Sequence, residues 1–151
     1  MVRLSFLFLS LSILFVQVES VVTKFVFTGN FICDMPDFEY RIVLWEKDSS
    51  SSDDVMTVQG PKVSRDPHYY EITGEQDGDE ILTIEPQSTY EVYMVIVHSC
   101  THPEKPYRKL TVPLGEFPFR DKTYYKSVDI NLINQGKLVT NIMGYEGFSG
   151  K

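Results

Sequence analysis

The chain has 151 residues, 42% hydrophobic and 13% aromatic, and a formal net charge of -7. That composition is enough to fill one core of ordinary domain size and argues against a disordered chain. The negative balance repels phosphate backbones, so a nucleic-acid partner is not expected, and an anionic membrane surface is disfavoured for the same reason unless a divalent ion bridges the two.

The first twenty residues have the pattern of an export signal. Arg3 precedes an apolar block at 4–16, and the small residue Ser20 closes a Val18-Glu19-Ser20 triplet. The block is shorter than the roughly 20 apolar residues a spanning helix needs. Residues 1–20 are therefore expected to be a cleaved signal peptide, with a mature, extracellular chain starting at Val21 and no stable membrane insertion afterwards.

Downstream, nearly every segment alternates with period two. Residues 22–33 read as a strand with Phe25, Phe27, Phe31 and Cys33 on one face, and Gly29 within it marks a bulge or a close backbone approach. In residues 40–47, Tyr40, Ile42 and Leu44 alternate against Arg41, Val43 and Trp45. A polar loop at 48–54 leads to a short strand at 55–58, ended by Gly60 and Pro61. Residues 68–73 form the next strand, and Gly74 opens an acidic loop containing Asp77, Asp79 and Glu80. A brief apolar piece follows at 81–84. Residues 90–100 are the longest and most hydrophobic strand, with Tyr90, Val92, Met94, Ile96, His98 and Cys100 sharing one parity. Strands at 107–112 and 124–132 complete the set. Residues 134–151 carry four glycines and read as a flexible tail with a weak edge strand at 138–142. Seven to eight short strands separated by turn signals predict an all-β, antiparallel β-sandwich spanning 21–133.

Cys33 and Cys100 are the only cysteines. Two cysteines in an exported domain usually pair, and two buried free thiols are the alternative. No Asn-x-Ser/Thr triplet occurs, so N-glycosylation is not expected.

The ordered blocks FVFTGNFIC at 25–33, LWEKD at 44–48, ITG at 72–74, IEP at 84–86, VHSC at 97–100, YRKL at 107–110 with Pro113, and VDINL at 128–132 cover nearly the whole mature chain. In that order they resemble the secreted transthyretin-like family of nematodes. The resemblance implies a transthyretin-type sandwich, secretion, and a disulfide between Cys33 and Cys100. Departures fall on loops. Asp66-Pro67-His68 stands where family members commonly place a glycine, Tyr107 occupies the place of a further cysteine, and residues 87–91 lengthen one connection.

Catalytic patterns are weak. The hydrolase branch of the transthyretin fold ends in Tyr-Arg-Gly-Ser, whereas this chain ends Gly147-Phe148-Ser149-Gly150-Lys151. Ser99 and His98 are strand neighbours that point to opposite faces. The expectation is a protein that is not an enzyme and needs no cofactor. His98, Cys100 and His102 alternate and could offer zinc ligands, against the simpler reading of His98 as a hydrogen-bonded core residue. Asp48, Asp53 and Asp54 in one loop, with Asp77, Asp79 and Glu80 in another, are weak calcium candidates because carboxylate oxygens suit that ion. Solvated acidic loops are the default. Trp45 and Tyr93 could form an exposed patch, although aromatics more often pack between sheets. The resulting expectation is an extracellular binding protein that takes a protein or lipid ligand at cell surfaces through loops at the sandwich ends. The alternative is a carrier of small hydrophobic molecules.

Overall fold

The computed structural model describes residues 22–48, 52–77, 89–102 and 107–144. Among them are nine strands and no helix: β1 (Val22–Ile32), β2 (Asp37–Lys47), β3 (Asp54–Arg65), β4 (Tyr69–Asp77), β5 (Thr89–His98), β6 (Tyr107–Pro118), β7 (Lys122–Ser127), β8 (Ile130–Asn131) and β9 (Lys137–Val139). They form two sheets. One runs β4-β1-β7, with β8 also paired to β1; the other runs β3-β2-β5-β6-β9. This is the all-β sandwich that the alternation predicts.

The parity rule explains which side chains meet. Phe25, Phe27 and Phe31 of β1 face Phe38, Tyr40, Ile42 and Leu44 of β2 across the sandwich, and all are buried. Tyr90, Val92, Met94, Ile96 and His98 of β5 share the same interior. Fully burying one such apolar side chain stabilises by about 1.5–3 kcal/mol, and the ring packing adds shape specificity. Phe31 stacks on Tyr70 at 4.6 Å, and the Phe25 and Phe117 rings meet edge to face at 5.3 Å. Gly29 is a close-approach glycine: a Cβ there would lie 2.1 Å from the Val128 carbonyl oxygen, which accepts the Tyr70 hydroxyl at 2.7 Å.

Cys33 and Cys100 form a disulfide, with Cα atoms 6.1 Å apart. Cys33 follows β1 and Cys100 follows β5, so the bridge ties the two sheets together at one end.

Four expectations need correction. The sandwich is mixed, not wholly antiparallel, because β1 runs parallel to β7 and β8. The chain crosses between sheets after β6, so β7 enters the first sheet in the direction of β1. Next, β3 does not stop at Gly60-Pro61 but continues to Arg65. It is an edge strand, where proline removes no ladder bond, and a register shift between Tyr40 and Ile42 absorbs the extra residue. In β4, the strand extends through Gly74 to Asp77, taking in residues expected as loop, because β1 pairs with it as far as Val22. Lastly, residues 134–144 are not a loose tail but lie against the sheet, and the edge strand expected at 138–142 is found slightly earlier. Lys137–Val139 adds β9 to the β6 edge, and Gly136 makes this possible, since a Cβ there would lie 2.5 Å from the Lys109 carbonyl oxygen. Residues 145–151 of the expected tail, and the apolar piece at 81–84, lie outside the described residues.

Candidate functional site

In a sandwich, the outward positions of a strand are normally polar. The five-stranded sheet breaks this pattern in its centre. On β2 the outward residues are Arg41, Val43, Trp45 and Lys47, and on β5 they are Glu91, Tyr93, Val95 and Val97. Register aligns them in rows across the sheet: Val58, Val43, Val95 and Thr111 in one, and Val55, Trp45, Tyr93 and Pro113 in the next. The result is an open trough of about 800 Å³ on the outer face. That volume lies within the roughly 300–1,000 Å³ of small-molecule sites. Met143 and Gly144, in the turn after β9, close one margin, and a Cβ on Gly144 would come within 3.0 Å of Val97 Cγ2. Val43 and Val97 are buried in the floor, while Val55, Val58 and Met143 are about half exposed along the rim.

Trp45 and Tyr93 lie in the trough as a parallel pair, 6.3 Å between centroids and 4° between planes. The Tyr93 hydroxyl donates to Asp53 Oδ2 at 2.5 Å. Burial, and then this bond to a carboxylate, hold the hydroxyl protonated well above the usual tyrosine range. Trp45 Nε1 is buried and has no hydrogen-bond partner among the described residues. A donor left so costs stability unless a ligand or water meets it. At the same end, Lys47 Nζ bonds both Glu91 carboxylate oxygens at 2.9 and 3.0 Å. Its hydrogen bond to Glu91 raises the Lys47 pKa, but both side chains are half exposed and the pair adds little stability.

Among the described residues, the acidic candidates Asp48, Asp53, Asp54 and Asp77 are not gathered into one cluster of potential calcium ligands. Asp53 spends Oδ1 on the Asp48 amide at 3.3 Å and Oδ2 on Tyr93. Asp54 pairs with Glu46 along the β2–β3 ladder, and Asp77 faces Val22 at the far end of β4. Asp79 and Glu80 lie outside the described residues. Among the described residues, three potential ligands come within 4.8 Å of one another only at Cys33, Asp34 and Cys100, where both sulfurs are committed to the disulfide.

The zinc reading of His98, Cys100 and His102 fails on the same bond. His98 is fully buried and its Nε2–H donates to the Gln135 carbonyl at 3.1 Å. Burial pushes its pKa down to about 4, the Gln135 bond opposes this, and the Arg108 charge adds to it. His102 lies outside, 3.0 Å from Asp34, whose carboxyl this hydrogen bond holds below the usual range. Ser99 is structural as well, its hydroxyl oxygen accepting the Glu39 amide at 2.9 Å.

Of the two arrangements the sequence allows for Trp45 and Tyr93, an exposed patch or packing between the sheets or against a loop, the structure has the less expected one, a stack on the outer face. A usable signal was present, since β2 and β5 are apolar on both parities over 42–45 and 92–97. In an antiparallel sheet, apolar residues on both faces mark a second surface that water leaves. No protein-family model matches the chain, and no curated protein shows a significant match to it.

Proposed function

We propose that this is a secreted, non-enzymatic binding protein of the transthyretin-like type, which carries an elongated apolar ligand in the trough on its five-stranded sheet. The observation that carries the reading is the continuous apolar floor of Val43, Trp45, Tyr93, Val95 and Val97 on a face that would ordinarily be polar. A concave, largely apolar surface with few polar groups is the usual form of a small-molecule site. It rests on the two central strands of the sheet, so the site is preformed. This favours the carrier over binding through the end loops, because the Asp53 carboxylate of the 48–54 loop is already occupied by the Asp48 amide and the Tyr93 hydroxyl.

Export is part of the same proposal. It is supported by the leader pattern at 1–20 and is compatible with the Cys33–Cys100 disulfide, a bond that persists in oxidising compartments. The family resemblance supports it from the ordered sequence blocks.

Titration with the neutral dye Nile red tests the reading. Thr111 stands exposed in the row of Val43 and Val95, so Thr111→Tyr fills the trough without touching the core. The expected result is saturable dye binding that Thr111→Tyr and Val95→Gln both reduce by tenfold or more, with thermal unfolding of Thr111→Tyr unchanged. Dye binding that survives in the stably folded Thr111→Tyr protein contradicts the proposal.

A further inference from the structure

The charges at the two ends of the trough differ. At one end, Lys47, Glu91 and Glu116 stand in a cross-strand row with Asp53 beside them, so acid outweighs base. At the other, Arg41, Val97, Lys109 and Lys137 stand in a row across β2, β5, β6 and β9. Among the described residues, no carboxylate forms an ion pair with any of those three cations. Unneutralised cations in a chain whose net charge is -7 mark a place where an anion is wanted.

Resting on the reading of the trough as the binding site, we propose that its ligand is the anion of a long-chain carboxylic acid. The carboxylate lies beside Gly144, which covers Val97, within reach of the Arg41 and Lys109 side chains, and the alkyl tail runs over Val95 and the Trp45–Tyr93 pair toward Lys47.

Dimensions fit this occupant. Arg41 and Lys47 are six residues apart on β2, so the trough is about 20 Å long. The acyl tail of a membrane lipid fills half of a hydrocarbon core of roughly 30 Å, about 15 Å. Two strand spacings separate Arg41 from Lys109, about 10 Å, which lets both long side chains converge on one carboxylate. A peptide fits poorly. The backbones of β2 and β5 are each paired on both sides, so the valine floor offers nothing to peptide N–H and C=O groups. A bilayer fits poorly too, since the acidic protein is repelled by an anionic surface.

The test uses sodium palmitate below its micellar concentration, read through Trp45, the chain's single tryptophan. The expected result is one saturable change in Trp45 emission per protein, with affinity rising about two- to fourfold for each added methylene of the acid. Arg41→Gln and Lys109→Gln should each weaken palmitate about tenfold more than they weaken the neutral dye Nile red, and Lys47→Gln should not separate the two ligands. Hexadecanol should bind at least tenfold more weakly than palmitate. Hexadecanol binding as tightly as palmitate, palmitate insensitive to both cation variants, or weakening by Lys47→Gln alone would each overturn this assignment. So would binding to phosphatidylserine vesicles without binding to free palmitate. If Nile red still binds and Thr111→Tyr still blocks it, the trough remains a site and only the carboxylate falls. If Nile red also fails, the site itself falls.

Discussion

Acidification should weaken the fold through His98, and the size of the effect follows from its surroundings. The imidazole is fully buried on the inner face of β5 and donates from Nε2 to the Gln135 carbonyl, while Nδ1 has no partner among the described residues. Burial holds its pKa near 4, against 6.5 for an ordinary histidine. The unfolded chain therefore takes up a proton at this residue near pH 6.5 that the folded protein refuses until about pH 4. Stability from this group is complete above pH 6.5, falls as pH drops from 6.5 toward 4, and levels off below. A shift of that size corresponds to about 3 kcal/mol, a large part of a typical stability of roughly 5–15 kcal/mol. Urea unfolding of the wild type and of His98→Gln, from pH 7.5 down to pH 4, isolates the term, because glutamine keeps a donor for Gln135 and does not titrate. Other groups, including Asp34 with its lowered pKa, titrate in both proteins and cancel in the difference. The stability advantage of wild type over His98→Gln should be constant above pH 6.5 and shrink by about 3 kcal/mol by pH 4. A difference that stays flat across this range would refute the reasoning.

Cys33→Ala with Cys100→Ala opens a loop of 67 residues, which the chain-entropy account values at about 4 kcal/mol; urea unfolding with and without reductant should show that loss in the wild type on reduction and in the double variant permanently. Gly29→Ala drives a methyl against the Val128 carbonyl, whereas a Cβ at Gly60 meets nothing within 4 Å. Gly29→Ala should cost about 3 kcal/mol or more and Gly60→Ala should stay within about 0.5 kcal/mol of wild type in thermal unfolding. Protein recovered from the medium of secreting cells should begin at Val21 by mass spectrometry, and an exported form retaining residues 1–20 would contradict cleavage after Ser20.

Local alternation was enough to read the interior. Phe25, Phe27, Phe31, Tyr40, Ile42, Leu44, Met94 and Ile96 share the parities that face the core, since a two-residue period leaves one buried side per strand. Gly29 was legible for the same reason: a glycine among large inward residues signals a backbone that comes close. What alternation cannot carry is pairing. Whether β3 ends at Gly60-Pro61 depends on its being an edge strand, and whether β7 runs parallel to β1 depends on where the chain changes sheets. The trough was hidden for a related reason. Val58, Trp45, Tyr93 and Pro113 are far apart in sequence, and only the register of four strands brings them onto one surface. The acidic loops drew attention because carboxylates cluster in sequence, yet Asp53 proves to be a brace for Tyr93.

The central claim is that ligand meets the outer face of the five-stranded sheet. The most direct measurement is a methyl NMR titration of the valine-labelled protein with Nile red. Saturable shifts should concentrate at Val43, Val55, Val58, Val95 and Val97, with Val92 on the inner face of β5 unmoved. Shifts confined to Val26 and Val128, on the other sheet, or no saturable shift at any valine, would contradict the claim.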